Sequence, residues 1–152
     1  MAKIEDQWTT LVLAVFRANG TMMQWGDRFA APFGLTSARW QMLGALALSD
    51  RPLSAPRIAE SMGVTRQGAQ KQLNLLLDEK LIQRLPNPSN MRSPLYELSS
   101  TGEVRYRAIE AAWKMHARSL ARQVKSQEIG IANQVLAHLA SLHHQDLEGE
   151  DQ

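Results

Sequence analysis

Residues 53–73 read Leu-Ser-Ala-Pro-Arg-Ile-Ala-Glu-Ser-Met-Gly-Val-Thr-Arg-Gln-Gly-Ala-Gln-Lys-Gln-Leu, and this stretch has the spacing of a helix-turn-helix. A short helix is expected after Ser54, carrying Ile58, Ala59 and Met62 to Gly63. A second is expected after Thr65, reaching about Lys80 with Ala69, Leu73, Leu76 and Leu77 inward. Ala59 is small where two helices cross closely, and Ala69 repeats that restriction on the second helix. Gly63, four residues after Ala59, supplies the positive φ that a sharp helix–helix turn demands. Val64 is expected to plug the core after the turn. Thr65 is expected to cap the second helix, a contribution of about 1 kcal/mol over Ala. An ordinary helical hairpin would show the turn without the pair of small residues.

The outward face of the second helix carries Arg66, Gln67, Gln70, Lys71 and Asn74. These side chains read base edges, Arg at guanine and Gln or Asn at adenine. From Thr65 to Asn74 there is no acid, which suits an element entering a groove lined by phosphates. Gly68, in the first turn, is a poor helix former; either close backbone approach to DNA or simple tolerance near a helix end would account for it.

Charge along the chain supports the same partner. The formal net charge is only +2, but it is unevenly spread. Residues 51–96 hold Arg51, Arg57, Arg66, Lys71, Lys80, Arg84 and Arg92 against Glu60, Asp78 and Glu79, and residues 101–125 form a second basic block. Residues 126–152 hold only acids. Two basic blocks invite a polyanion, while an acidic end stays solvated; solvated helix faces are the bland alternative.

Working outward, Leu81–Leu85 and Leu95–Leu98 read as the strands of a β-hairpin. Pro86 to Asn90 forms its tip, since Pro presets φ and Asn tolerates the left-handed region. Arg92 sits just past the tip, where it can reach a minor groove, and Arg84 lies on the opposite strand. Upstream, Thr36 is a plausible cap for a helix through about Leu48, and Ala31-Pro32-Phe33-Gly34 ends the helix before it. That first helix shows Ile4, Leu11, Ala18 and Trp25, and Trp8, Val15, Met22 and Phe29, each series stepping by seven. Such a seam either wraps its own domain or pairs with a second subunit. Downstream, Ser100 and Glu103 read as a capping box opening a long helix with Ile109, Trp113, Leu120 and Val124 on its apolar face. Ser126 is expected to cap a last helix through Leu142, with Ile129, Ala132, Val135, Leu136 and Leu139 inward.

Several function classes drop out. The chain has no cysteine, which excludes a disulfide scaffold, a thiolate metal site and a cysteine redox switch. The longest strictly apolar run, Leu11 to Phe16, is far short of the ~20 residues of a membrane helix. The start, Met1-Ala2-Lys3-Ile4-Glu5-Asp6, turns acidic where a secretory signal is apolar. A cytoplasmic protein is expected. No nucleophile–base pair, phosphate-cradling Gly loop or metal motif is present, so neither enzyme activity nor cofactor nor metal is expected. The His143-His144 pair would need further ligands.

From Leu35 to about Leu120 the chain resembles the MarR family of winged-helix transcription regulators. The residues that carry the resemblance are Leu35-Thr36 with Trp40 and Leu43, Ile58-Ala59 with Met62-Gly63-Val64-Thr65-Arg66, Leu81-Ile82-Gln83-Arg84, Pro88 to Arg92, and Leu98-Ser99-Ser100-Thr101-Gly102. Three positions depart from the family pattern. Asn90 stands where the wing usually has Asp, so no ion pair can hold Arg92. Lys80 stands where a Gly commonly follows the recognition helix, and Gln72 where an apolar residue is common.

The resemblance implies a mainly α fold with a small β-hairpin wing. It divides the chain into an N-terminal dimerisation helix (1–34), a winged helix-turn-helix lobe (35–99), C-terminal dimerisation helices (100–144) and an acidic tail expected to be disordered (145–152). It implies a homodimeric, double-stranded DNA-binding regulator, by default a repressor, on a palindromic operator. Thr65, Arg66, Gln67, Gln70, Lys71, Asn74, Arg84 and Arg92 would contact DNA. It also implies a small aromatic or phenolic acid as effector, for which Trp25, Arg28, Trp40, Trp113 and His116 are the pocket candidates; Trp at helical spacing is more often the mark of a core. The competing class is a winged-helix protein–protein module that lacks specific DNA binding.

Overall fold

The structure is a computed structural model that describes residues 1–148. Its elements in chain order are α1 (Ile4–Ala30), a 3₁₀ turn (Ala31–Phe33), α2 (Ser37–Ala47), β1 (Leu53–Ser54), α3 (Ala55–Met62), α4 (Arg66–Asp78), β2 (Ile82–Leu85), β3 (Leu95–Leu98), α5 (Ser100–Leu120) and α6 (Ser126–Glu148). The described chain divides into two units within α5, Met1–Glu110 and the residues from Ala111 onward.

The first unit is built around the helix-turn-helix. Met42, Leu43 and Leu46 of α2, Ile58 and Ala59 of α3, and Ala69, Leu73 and Leu76 of α4 are all buried. They recur at the three- and four-residue steps that put apolar side chains on one helix face. Leu81, Ile82, Tyr96 and Ile109 close this core from the strand side and from α5. Gly63 has φ +66, as the turn between α3 and α4 requires, and its N–H reaches back to the Glu60 carbonyl. Val64 does not plug the core: it is 42% exposed.

The three strands form an antiparallel sheet in the order β1-β3-β2. Ile82 pairs with Leu98 and Leu85 with Leu95, which fixes the hairpin register. The sequence did not announce β1; Leu53 and Ser54 join the free edge of β3 opposite Tyr96 and Leu95. Two residues carry no period-2 signal, so only the neighbouring strand reveals them.

The α1 seam packs on its own domain near its end and leaves other members exposed. Near its end, Gly26 and Ala30 are buried against α2, and an added Cβ at Gly26 would sit 2.5 Å from Ser37 Oγ. Asp27 Oδ1 accepts the Ser37 N–H at 2.8 Å, tying α1 to the first turn of α2. Phe29 lies 5.3 Å from Trp40, ring centroid to centroid. Ile4, Trp8 and Met22, by contrast, are exposed in the single chain.

Two helix starts lie one residue earlier than the sequence motif indicates. Ser99, not Ser100, caps α5: its Oγ accepts the Gly102 N–H at 3.0 Å and donates to the Lys80 carbonyl at 2.8 Å. Choosing Ser99 ties the cap to the strand entry, where the Ser99 N–H also meets the Leu81 carbonyl. In the second unit the Glu128 side chain returns to the Lys125 N–H at 2.8 Å, so Lys125 rather than Ser126 holds the cap position of α6.

In that unit α5 ends at Leu120, so Val124 lies beyond the helix. Of the face expected inward on α6, Val135 and Leu139 are half-buried, while Ile129 and Leu136 are 49% and 41% exposed. One polypeptide offers this helix too little apolar surface to cover its whole stripe. The helix continues past the expected boundary at His144 through Glu148. The end of the expected disordered tail, residues 149–152, lies outside the described residues.

Lys80 adopts φ +61, the left-handed conformation that disfavours any side chain with a Cβ. The turn out of α4 demands it: the Leu81 N–H reaches back to the Leu76 carbonyl at 3.0 Å. Lys80→Gly relieves about 1 kcal/mol of strain and returns part of it as unfolded-state entropy. Equilibrium unfolding by urea is expected to show a gain of about 0.5 kcal/mol with an unchanged slope.

Candidate nucleic-acid interface

Helix α4 begins at a cap made by Thr65, whose Oγ1 accepts the Gly68 N–H at 3.0 Å. Gly68 thereby acquires a physical reason. An added Cβ would lie 3.0 Å from that same oxygen, so glycine leaves room for the cap.

Beyond the cap, Arg66, Gln67, Lys71 and Asn74 are all exposed on the outer face of α4. Gln70 differs: it is half-buried, and its Nε2 donates to Asn74 Oδ1 at 2.9 Å and to Tyr96 Oη at 3.2 Å. Tyr96 is 1% exposed, so its hydroxyl needs this partner. Gln70 thus joins the recognition face to the sheet, a link with no local sequence signal.

The wing carries Arg84, exposed on β2, and Arg92, exposed just past the tip. Asn90 cannot form an ion pair, but its Oδ1 accepts the Arg92 backbone N–H at 3.1 Å. Asn87 repeats the device three residues earlier. Its Oδ1 accepts the Ser89 N–H at 3.1 Å while its Nδ2 donates to the Ser93 carbonyl at 2.8 Å. Amide side chains that bond the backbone two residues on are the basis of Asx turns, and the pattern was readable as Asn87-x-Ser89 and Asn90-x-Arg92. Asn87→Ala removes both bonds to the loop. We expect amide exchange at Ser89–Ser93 to accelerate at least tenfold, with global stability lowered by no more than about 1 kcal/mol.

Charges behind the recognition helix are arranged to leave its outer face basic. Glu79, at the C-terminal end of α4, is paired with Arg39 of α2 and lies 3.8 Å from the Arg105 guanidinium of α5. The acid that follows the helix is therefore held between two cations. No sequence motif pairs residues so far apart.

The first unit also holds a cavity of about 340 Å³ between α1, α2 and α5. Trp25 and Trp40 line it, with Met23, Ser37, Gln41 and Tyr106. Of the remaining pocket candidates, Arg28 is exposed and does not line the cavity. Trp113 and His116 belong to the second unit, where their rings pack 5.7 Å apart. Among the described residues, no group of three His, Asp or Glu can hold a metal ion. None of the described helices is long and apolar enough to cross a membrane.

Uncharacterized proteins of Mycobacterium tuberculosis and Mycobacterium bovis are each 39% identical over 99 residues, covering 65% of this chain and 68% of theirs. The MarR family model matches residues 33–93, from the end of the 3₁₀ turn to the wing. The chain belongs to the MarR family. Solved MarR-family structures share its fold at low identity. A mutant of E. coli MarR complexed with operator DNA superposes with a TM-score of 0.74 at 15% identity, covering 91% of this chain and 99% of that one. M. tuberculosis MosR in complex with DNA gives 0.73 at 19%, covering 88% and 96%. Relative to the MarR-family pattern, the wing Asp has become Asn90 and the glycine after the recognition helix Lys80. In the structure a backbone hydrogen bond and a left-handed lysine occupy those two places.

Proposed function

We propose that this MarR-family protein is a sequence-specific, double-stranded DNA-binding transcription regulator, acting as a homodimer on a palindromic operator, by default as a repressor. One observation carries the reading. An acid-free helix face with exposed Arg66, Gln67, Lys71 and Asn74 projects from a helix-turn-helix whose wing exposes Arg84 and Arg92. Thr65 caps the start of that helix and Gln70 links it to Tyr96 of the sheet. Helices in residues 1–34 and 100–144 are assigned to dimerisation. The support is the set of apolar side chains the single chain leaves in water, Ile4, Trp8 and Met22 on α1 and Ile129, Leu136 and Leu142 on α6. Ligand occupancy of the Trp25–Trp40 cavity would shift the helices that carry the lobe and release the operator.

Selection of bound sequences from random DNA tests the proposal. A palindrome with half-sites about 10 bp apart, or near a multiple of it, is expected. Binding to the selected site should weaken steeply with salt, log K falling with log [salt] by about 0.9 for each phosphate neutralised. If no sequence is enriched and an acidic protein partner is bound instead, the protein-contact reading replaces this one.

A further inference from the structure

The Trp25–Trp40 cavity has an uncharged lining and lacks the countercharge expected of a site for an aromatic acid. None of its lining residues is Lys, Arg or His. A carboxylate entering it would lose water and gain no countercharge, and an unpaired ion in an apolar site is heavily penalised.

The groups that are present favour the opposite sign. Two indoles and a phenol line the site, and indole is the best aromatic partner for a cation. Trp25 stacks on Phe29 at 4.8 Å with 15° between planes, so the aromatic wall is preformed. Met23 Sδ accepts from Gln41 Nε2 at 3.3 Å and lies 3.6 Å from Ser37 Oγ, presenting a polarisable floor. At one edge Tyr106 Oη donates to Glu110 Oε2 at 3.1 Å. Burial, and then the Glu110 carboxylate, push the Tyr106 phenol above its ordinary range. The phenol therefore keeps its proton at neutral pH, and Glu110 brings negative charge to this edge.

We infer that the cavity lined by Trp25, Trp40 and Tyr106 takes a lipophilic aromatic cation, such as an aryl quaternary ammonium, and rejects aromatic acids. The inference rests on the effector reading of this cavity and names its ligand class. The volume of about 340 Å³ lies at the lower end for small-molecule sites, which suits a ligand of one ring with a compact cationic head.

Calorimetry on the full chain without DNA tests it with three single-ring probes: benzyltrimethylammonium, benzamide and salicylate. The cation is expected to bind about tenfold more tightly than the neutral amide, with salicylate the weakest. Gln41 is an exposed position on α2 that faces the cavity, so its charge variants preserve the core. Gln41→Glu should strengthen cation binding several-fold, and Gln41→Arg should reverse the order and admit salicylate. Tyr106→Phe should weaken the cation while leaving benzamide within twofold. The inference is overturned if salicylate or benzamide binds the native chain as tightly as the cation, if no probe binds it, or if both Gln41 variants keep the native order. DNA is absent from the measurement, so such a failure leaves the DNA-binding proposal to its own test.

Discussion

Gly102→Ala is expected to destabilise the protein by about 3 kcal/mol or more, lowering its thermal midpoint by roughly 6–12 °C at fixed protein concentration. In the first turn of an exposed helix the same change would stabilise by up to ~1 kcal/mol, because Ala is the better helix former. Here packing reverses the sign. A Cβ at Gly102 would lie 1.9 Å from the Leu81 carbonyl oxygen and 2.9 Å from its carbon. Those are backbone atoms, so no rotamer change can give way. The start of α5 would have to move off the strand entry, and three bonds would go with it: Ser99 Oγ with Gly102, Ser99 Oγ with Lys80, and the Ser99 N–H with Leu81. Gly20→Ala is the control. It is an exposed position of α1 with nothing within 4 Å of an added Cβ, so it should stabilise by roughly 0.5–1 kcal/mol. If the two substitutions shift the midpoint alike, the close approach of α5 to Leu81 is wrong.

Arg66→Ala is expected to weaken binding to the selected operator by about 1–3 kcal/mol, and to relax base preference at one position of each half-site. Arg66 is the first residue of α4 and fully on its exposed side, where a guanidinium can address two acceptors of a guanine. Its removal takes nothing from the core, so the melting temperature should not change. Lys71→Ala should behave differently. It should weaken all sequences alike and reduce the salt slope by about one, the mark of a phosphate contact. Equal loss across every sequence on Arg66→Ala, as measured by competition binding, would assign Arg66 to the phosphates instead.

Much of the interface was legible because its signals are local. Small residues at 59 and 69, a glycine at 63 and a capping threonine at 65 lie within one turn of what they act on. The exposed positions Arg66, Gln67, Lys71 and Asn74 follow from helical periodicity once that start is set. The errors came where two neighbouring residues were chemically equivalent. Ser99 and Ser100 can both cap a helix, and only the Lys80 and Leu81 carbonyls distinguish them. Val64 failed for a related reason, since an apolar residue after a turn does not itself say which way it points.

Tertiary structure decided everything that joins distant parts of the chain. The Tyr96 hydroxyl pins Gln70, Asp27 ties α1 to α2, and Glu79 rests between Arg39 and Arg105. Each pairs residues at least ten positions apart, beyond the reach of any periodicity. The cavity is of this kind as well: Trp25, Trp40 and Tyr106 come from three helices, and Arg28, adjacent in pattern, is left outside. Sequence alone determined the helix-turn-helix, its basic face and the family, because those rest on backbone conformation and residue type. The lining of the Trp25–Trp40 cavity was decided only by folding, which chose the side chains that share one volume and left Lys, Arg and His out of it.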